Sequence, residues 1–79
     1  MTTEARRVVA LSVASALMRA ERSSRWLAAR SGIALSDLER KLGLEADFTV
    51  ADLADIADAL GVAVADFVPP VRAEREEQR

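Results

Sequence analysis

The chain has 79 residues, of which 51% are apolar and 30% charged, and its net charge is −2. That length holds one small domain and excludes a Rossmann unit, a barrel or a two-domain enzyme. Neither cysteine nor histidine occurs, which excludes disulfides and zinc ribbons and removes the commonest catalytic base and metal ligand.

The first predicted element is a long helix. Thr2 or Thr3 is placed to cap it, Glu4 sits at the positive end of its dipole, and no Gly or Pro interrupts residues 4–22. At helical spacing Val9, Val13, Ala16, Leu17 and Ala20 share one face, and Leu11, Ala14 and Met18 carry the apolar arc well past it. Two readings follow. Either the helix is buried at the centre of the domain, or Val8, Leu11, Ala14 and Met18 form a dimer interface with a second copy. Val8 to Ala20 is interrupted by Ser12, Ser15 and Arg19 and is too short to span a bilayer. No signal peptide is recognised, so a cytoplasmic location without membrane association is expected.

Ser23–Ser24 breaks the pattern and offers caps for a helix near Ser24–Ser31 that buries Leu27 and Ala28. Gly32 ends it, and Ile33 enters the core. A third helix is predicted over Leu35–Leu42, with Leu38 and Leu42 on one face and Gly43 as its stop. Thr49-Val50-Ala51-Asp52 approximates a capping box for a fourth helix, Val50–Leu60, which buries Leu53, Ile56, Ala57 and Leu60. Asp52, Asp55 and Asp58 are expected to form its solvated face, since three acids on one helix do not make a metal cage. Gly61 ends it, Val64–Val68 is expected to make one or two turns anchored by Phe67, and Pro69–Pro70 is a firm stop. Residues 71–79 are a charged tail expected to fray.

Charge is divided along the chain. Residues 1–41 carry eight basic and four acidic side chains, and residues 42–79 carry three basic and nine acidic ones. This separation suits either a polyanion partner for the first half or self-association of opposite faces.

The central pair of helices carries the most information. Leu27-Ala28, Gly32-Ile33 and Leu38 have helix-turn-helix spacing: a small residue where two helices cross steeply, a glycine in the turn, and apolar residues locking both to the core. From Met18 to Pro69 the chain resembles the Cro/CI-type (XRE-like) helix-turn-helix family of bacterial and phage regulators. The resemblance rests on Trp26-Leu27-Ala28-Ala29-Arg30-Ser31-Gly32-Ile33, on Leu38-Glu39-Arg40-Lys41-Leu42, and above all on Phe48-Thr49-Val50-Ala51-Asp52-Leu53-Ala54-Asp55-Ile56-Ala57-Asp58-Ala59-Leu60-Gly61-Val62. The second stretch looks like a form found in actinobacterial and actinophage members.

The resemblance implies an all-α, five-helix lambda-repressor-like DNA-binding domain over residues 1–70, with a central helix-turn-helix. It further implies a repressor-like transcription regulator that occupies a double-stranded DNA operator as a homodimer. Carried over by position, Leu35, Ser36 and Arg40 would face base edges, with Arg40 reading guanine, and Ser23, Ser24, Arg25 and Lys41 would contact phosphate. On the residues alone, other readings stay open: Arg40 as a solvated arginine, Leu35 as a packing residue, and Arg25 and Arg30 as solvent-facing. Trp26 reads as a packing residue. The chain departs from the family at Ser24, where Gln is usual, and at Ala34, where a Ser or Thr cap is usual. Asp37 and Glu39 lie on or near the recognition helix, Glu45 and Asp47 stand where bases are common, and Gly43-Leu44 inverts the usual Asn-Gly. These acids favour an alternative function, a protein-interaction module on the same scaffold, antitoxin-like or a phage factor binding a host protein. No enzyme activity, cofactor or metal is expected.

Overall fold

The computed structural model describes residues 3–68. Within them the chain is all-α: α1 spans Thr3–Ala20, α2 Ser24–Ser31, α3 Leu35–Leu42 and α4 Val50–Leu60, followed by a 3₁₀ turn at Val64–Asp66. Pro69–Pro70 and the expected tail at 71–79 lie outside the described residues, as does Thr2. Thr3 is the first residue of α1 rather than a cap preceding it.

Local chemistry sets most helix boundaries. The Ser23 hydroxyl accepts the Trp26 backbone N–H at 3.1 Å and so satisfies one of the donors left free at the start of α2. α2 ends at Gly32, whose φ of 85° is left-handed and whose N–H bonds the Ala28 carbonyl. Only Gly32, Ile33 and Ala34 separate it from α3. Ala34 precedes α3 without a side-chain cap, as an alanine must. α4 begins with a reciprocal capping box: Asp52 N–H donates to the Thr49 hydroxyl at 3.0 Å, and Thr49 N–H donates to the Asp52 carboxylate at 2.9 Å.

Two helix ends depart from expectation. α1 stops at Ala20, not near residue 22, and the left-handed position after it is Glu21, at φ 58°. After α3, Gly43 has an ordinary φ of −87°, and Leu44 takes the left-handed position at φ 70°. Both ends close with the same pair of bonds. Glu21 N–H reaches Met18 O and Arg22 N–H reaches Leu17 O, while Leu44 N–H reaches Lys41 O and Glu45 N–H reaches Arg40 O. The hydrogen bonds of the motif hold two side-chain-bearing residues where glycine is favoured, at a cost of about 1–2 kcal/mol each.

The core joins all five elements. α2 packs on α3 and α4, α1 on α3 and α4, and the 3₁₀ turn on α4. Val9, Val13, Leu27, Leu38, Ile56 and Phe67 are the largest fully buried side chains, each contributing roughly 1.5–3 kcal/mol of burial. Among the described residues no polar or charged residue is fully buried. Val9, Val13, Ala16 and Leu17 form the inner face of α1, with Ala10 beside them. Ala20, expected on that face, is exposed at the last residue of α1. Leu60 is half-buried at the end of α4. Phe67 follows the 3₁₀ turn and closes the core, as its expected anchor role requires.

Candidate functional site

The start of α2 is built from serine and arginine. Ser23 is committed as an acceptor to Trp26 N–H, which leaves its hydroxyl hydrogen free to donate outward. Ser24 is half-buried and Arg25 is exposed. Trp26 packs its inner edge against the core. Two cations approach its ring: Arg22 Cζ is 4.8 Å and Arg30 Cζ 5.3 Å from the centroid, within cation–π range. α2 itself carries no acidic residue, while Glu21 is exposed just before Arg22. The spacing of Arg22, Trp26 and Arg30, four residues apart in each step, is the sequence signal for this stack.

α3 sorts its residues by helical angle. Leu38 is buried, and Leu35 and Leu42, half-buried, share its side of the helix. Ser36 and Arg40 are exposed one turn apart on the opposite side. The structure therefore brings Ser36 and Arg40 together and turns Leu35 away from them. Arg40 is not unaccompanied: its guanidinium lies 3.6 Å from the Asp37 carboxylate, with both side chains more than half exposed. Glu39 is exposed on the other flank.

Lys41 sits elsewhere. Its ammonium donates to the Asp52 carboxylate, and the two side chains retain only 15% and 16% of their accessible surface. The expected phosphate-contacting lysine is thus turned inward to α4, and Asp52 leaves the expected solvated row, of which Asp55 and Asp58 remain exposed. Burial works against the charge on Asp52, but hydrogen bonds from Lys41 and from the Thr49 backbone outweigh it and hold its pKa below the ordinary 3.8.

A second long-range pair fixes the α3–α4 connection. Arg6 of α1 donates through Nε to Asp47 and through a terminal nitrogen to the Leu44 carbonyl at 3.3 Å. The Arg6 hydrogen bond holds the Asp47 carboxyl below its usual pKa. Asp47 is therefore matched within the chain, whereas Glu45 is exposed. Sequence reading missed both pairs, because partners separated by 41 and 11 residues carry no local pattern.

The α1 residues expected at a dimer interface divide. Val8, Leu11 and Met18 are exposed on the side opposite the core, and Ala14 is half-buried. Beside them lies a shallow depression of about 340 Å³ lined by Val8, Leu11, Ser12, Ser15, Arg19 and Asp66. Among the described residues no group of acids is arranged to hold a metal ion, and no helix is long and apolar enough to cross a membrane. No family model, curated protein or solved structure matches the chain.

Proposed function

We propose that the protein is a sequence-specific double-stranded DNA-binding regulator. In this reading its four helices and terminal 3₁₀ turn form a lambda-repressor-like domain of the Cro/CI type, and α2 and α3 are its helix-turn-helix. α3 enters the major groove with Ser36 and Arg40 toward the bases, while Ser23, Arg25 and the neighbouring Arg22 meet phosphates. The observation that carries the reading is the α2–α3 pair itself. Two eight-residue helices are joined through a left-handed Gly32, with exposed arginines and no acidic residue on the first and an exposed serine and arginine on the outer side of the second. A single eight-residue helix offers few contacts, so the protein acts as a homodimer across a two-fold operator and represses by occupying it.

A titration against the DNA upstream of its own gene and against a scrambled duplex, at low and near-physiological salt, tests this. Tight binding to the upstream duplex alone, persisting at physiological salt, is the expected result. A second reading, a module that binds a protein partner through the α3 surface, is favoured by Asp37 beside Arg40 and by the exposed Glu39. Equal, weak binding to both duplexes that vanishes with salt supports it instead.

A further inference from the structure

Trp26 holds two cations without neutralising them. Its inner edge packs on the core, while Arg22 and Arg30 meet its ring with Cζ at 4.8 and 5.3 Å from the centroid. A guanidinium held over an aromatic ring keeps its full charge and gives none of its N–H groups to a carboxylate. The other fixed cations differ. Arg6, Arg40 and Lys41 are paired with Asp47, Asp37 and Asp52, which offset their charge. Among the described residues Arg22 and Arg30 make no ion pair, and Glu21, exposed beside Arg22, pairs with neither.

We infer that the Arg22–Trp26–Arg30 stack is a phosphate-binding site. Arg22 and Arg30 contact neighbouring phosphates of a duplex strand, and Trp26 is the residue that positions them. The inference rests on the DNA reading above for its partner, and it adds Arg30 and Trp26 to the contacts given there.

The chemistry of the stack selects that partner. Two cations converging on one ring repel each other, so the fitting ligand carries closely spaced negative charges. A DNA strand carries one about every 3.4 Å along its axis, and each phosphate can accept a guanidinium fork through two oxygens. The ring acts before binding. It restricts two long side chains in the free protein, so less of their rotamer freedom is lost on contact. Ser23 adjoins Arg22 and, with its oxygen committed to Trp26 N–H, points its hydroxyl hydrogen outward as a further donor.

Trp26 is the single tryptophan, and the chain has no tyrosine, so indole emission reads the site directly. The whole protein is titrated at low salt with a duplex of scrambled sequence, which reads backbone contacts alone, and in parallel with poly-glutamate. A saturable change in emission with the duplex and a far smaller one with poly-glutamate is the expected result. No change with the duplex overturns the site. A response to poly-glutamate that equals or exceeds the response to duplex overturns the phosphate assignment in favour of an acidic protein surface.

Duplex anisotropy across a salt series tests the separate roles, with circular dichroism confirming that each variant is folded. Arg22→Ala and Arg30→Ala should each lower the slope of log affinity against log salt by about 1. Trp26→Leu leaves the charge unchanged and should weaken binding about fivefold, with Trp26→Phe restoring most of the loss. Arg30→Ala should cost less affinity in the Trp26→Leu background than in the wild type. Additive losses, or a Trp26→Phe protein no tighter than Trp26→Leu, overturn the positioning role. Unchanged slopes for both arginine variants overturn the site even where Trp26→Leu fails to fold. Equal binding of scrambled and upstream duplexes defeats the sequence-specific reading without touching this site, and silent Trp26 emission beside an intact operator preference defeats the site alone.

Discussion

One carboxylate oxygen of Asp52 accepts both the ammonium of Lys41 and the backbone N–H of Thr49. The last turn of α3 is thereby tied to the capping box that starts α4. A charged contact thus joins two helices that each pack chiefly on α1 and α2. Asp52 titrates below the ordinary carboxylate value of 3.8 in the folded chain, so its contribution to stability is complete above that value and is lost as pH falls through the lowered one. Urea unfolding followed from pH 7 down to about pH 2 should show a steeper loss for the wild type than for Asp52→Asn. Equal slopes for the two proteins would remove this role. At neutral pH Lys41→Ala should cost about 2 kcal/mol, since it leaves a largely buried carboxylate with one fewer charged partner.

The left-handed Leu44 invites replacement. Leu44→Gly removes the Cβ conflict at φ 70° and should stabilise the domain by about 1 kcal/mol. The exchange of Gly43 for Ala should not help, because its Cβ would lie 3.2 Å from the Glu39 carbonyl oxygen. Thermal melts of the two variants check the pair of predictions. A Leu44→Gly protein that melts below the wild type would show that the leucine side chain contributes more than its backbone costs.

Phe67 is a more severe test of what completes the fold. It is 1% exposed and lies after the last described turn. Phe67→Ala should cost about 3–5 kcal/mol, against a whole-domain stability of about 3–10 kcal/mol for this size. Circular dichroism should therefore find the variant substantially unfolded at 37 °C. A cooperative melt near that of the wild type would mean that the first four helices suffice.

On the DNA reading, Asp37 and Lys41 make opposite predictions to those of position alone. Asp37→Ala frees Arg40 and removes a carboxylate from a surface facing phosphates, so duplex affinity should rise. Arg40→Ala should weaken specific binding by about 1–3 kcal/mol. Arg25→Ala should lower the slope of log affinity against log salt by about 1. Lys41→Ala, whose ammonium is held by Asp52, should leave that slope unchanged. Fluorescence anisotropy across a salt series reads all four, and a slope that falls for Lys41→Ala would place its ammonium on the phosphates.

The sequence by itself determined the all-α class, four helices and nearly all their ends, because these depend on neighbours a few residues apart. Ser23 and Thr49 as caps, Gly32 and Gly61 as left-handed stops, and the apolar spacing of α4 are all local features. On α1 it gave only an apolar arc that suits either burial at the centre or an exposed face, and tertiary structure left Val8, Leu11 and Met18 exposed. Tertiary structure alone decided which charged groups are free. Lys41, Asp47 and Asp52 look like surface charges in the sequence, yet Lys41 pairs with Asp52 and Asp47 with Arg6 across the fold. It also decided that Leu44, rather than Gly43, takes the left-handed position, and that Leu35 faces inward while Ser36 and Arg40 face outward. Helix propensity and capping act over one or two turns, whereas an ion pair needs two distant segments already brought together. That second step follows from packing the whole core, which no local window of sequence contains.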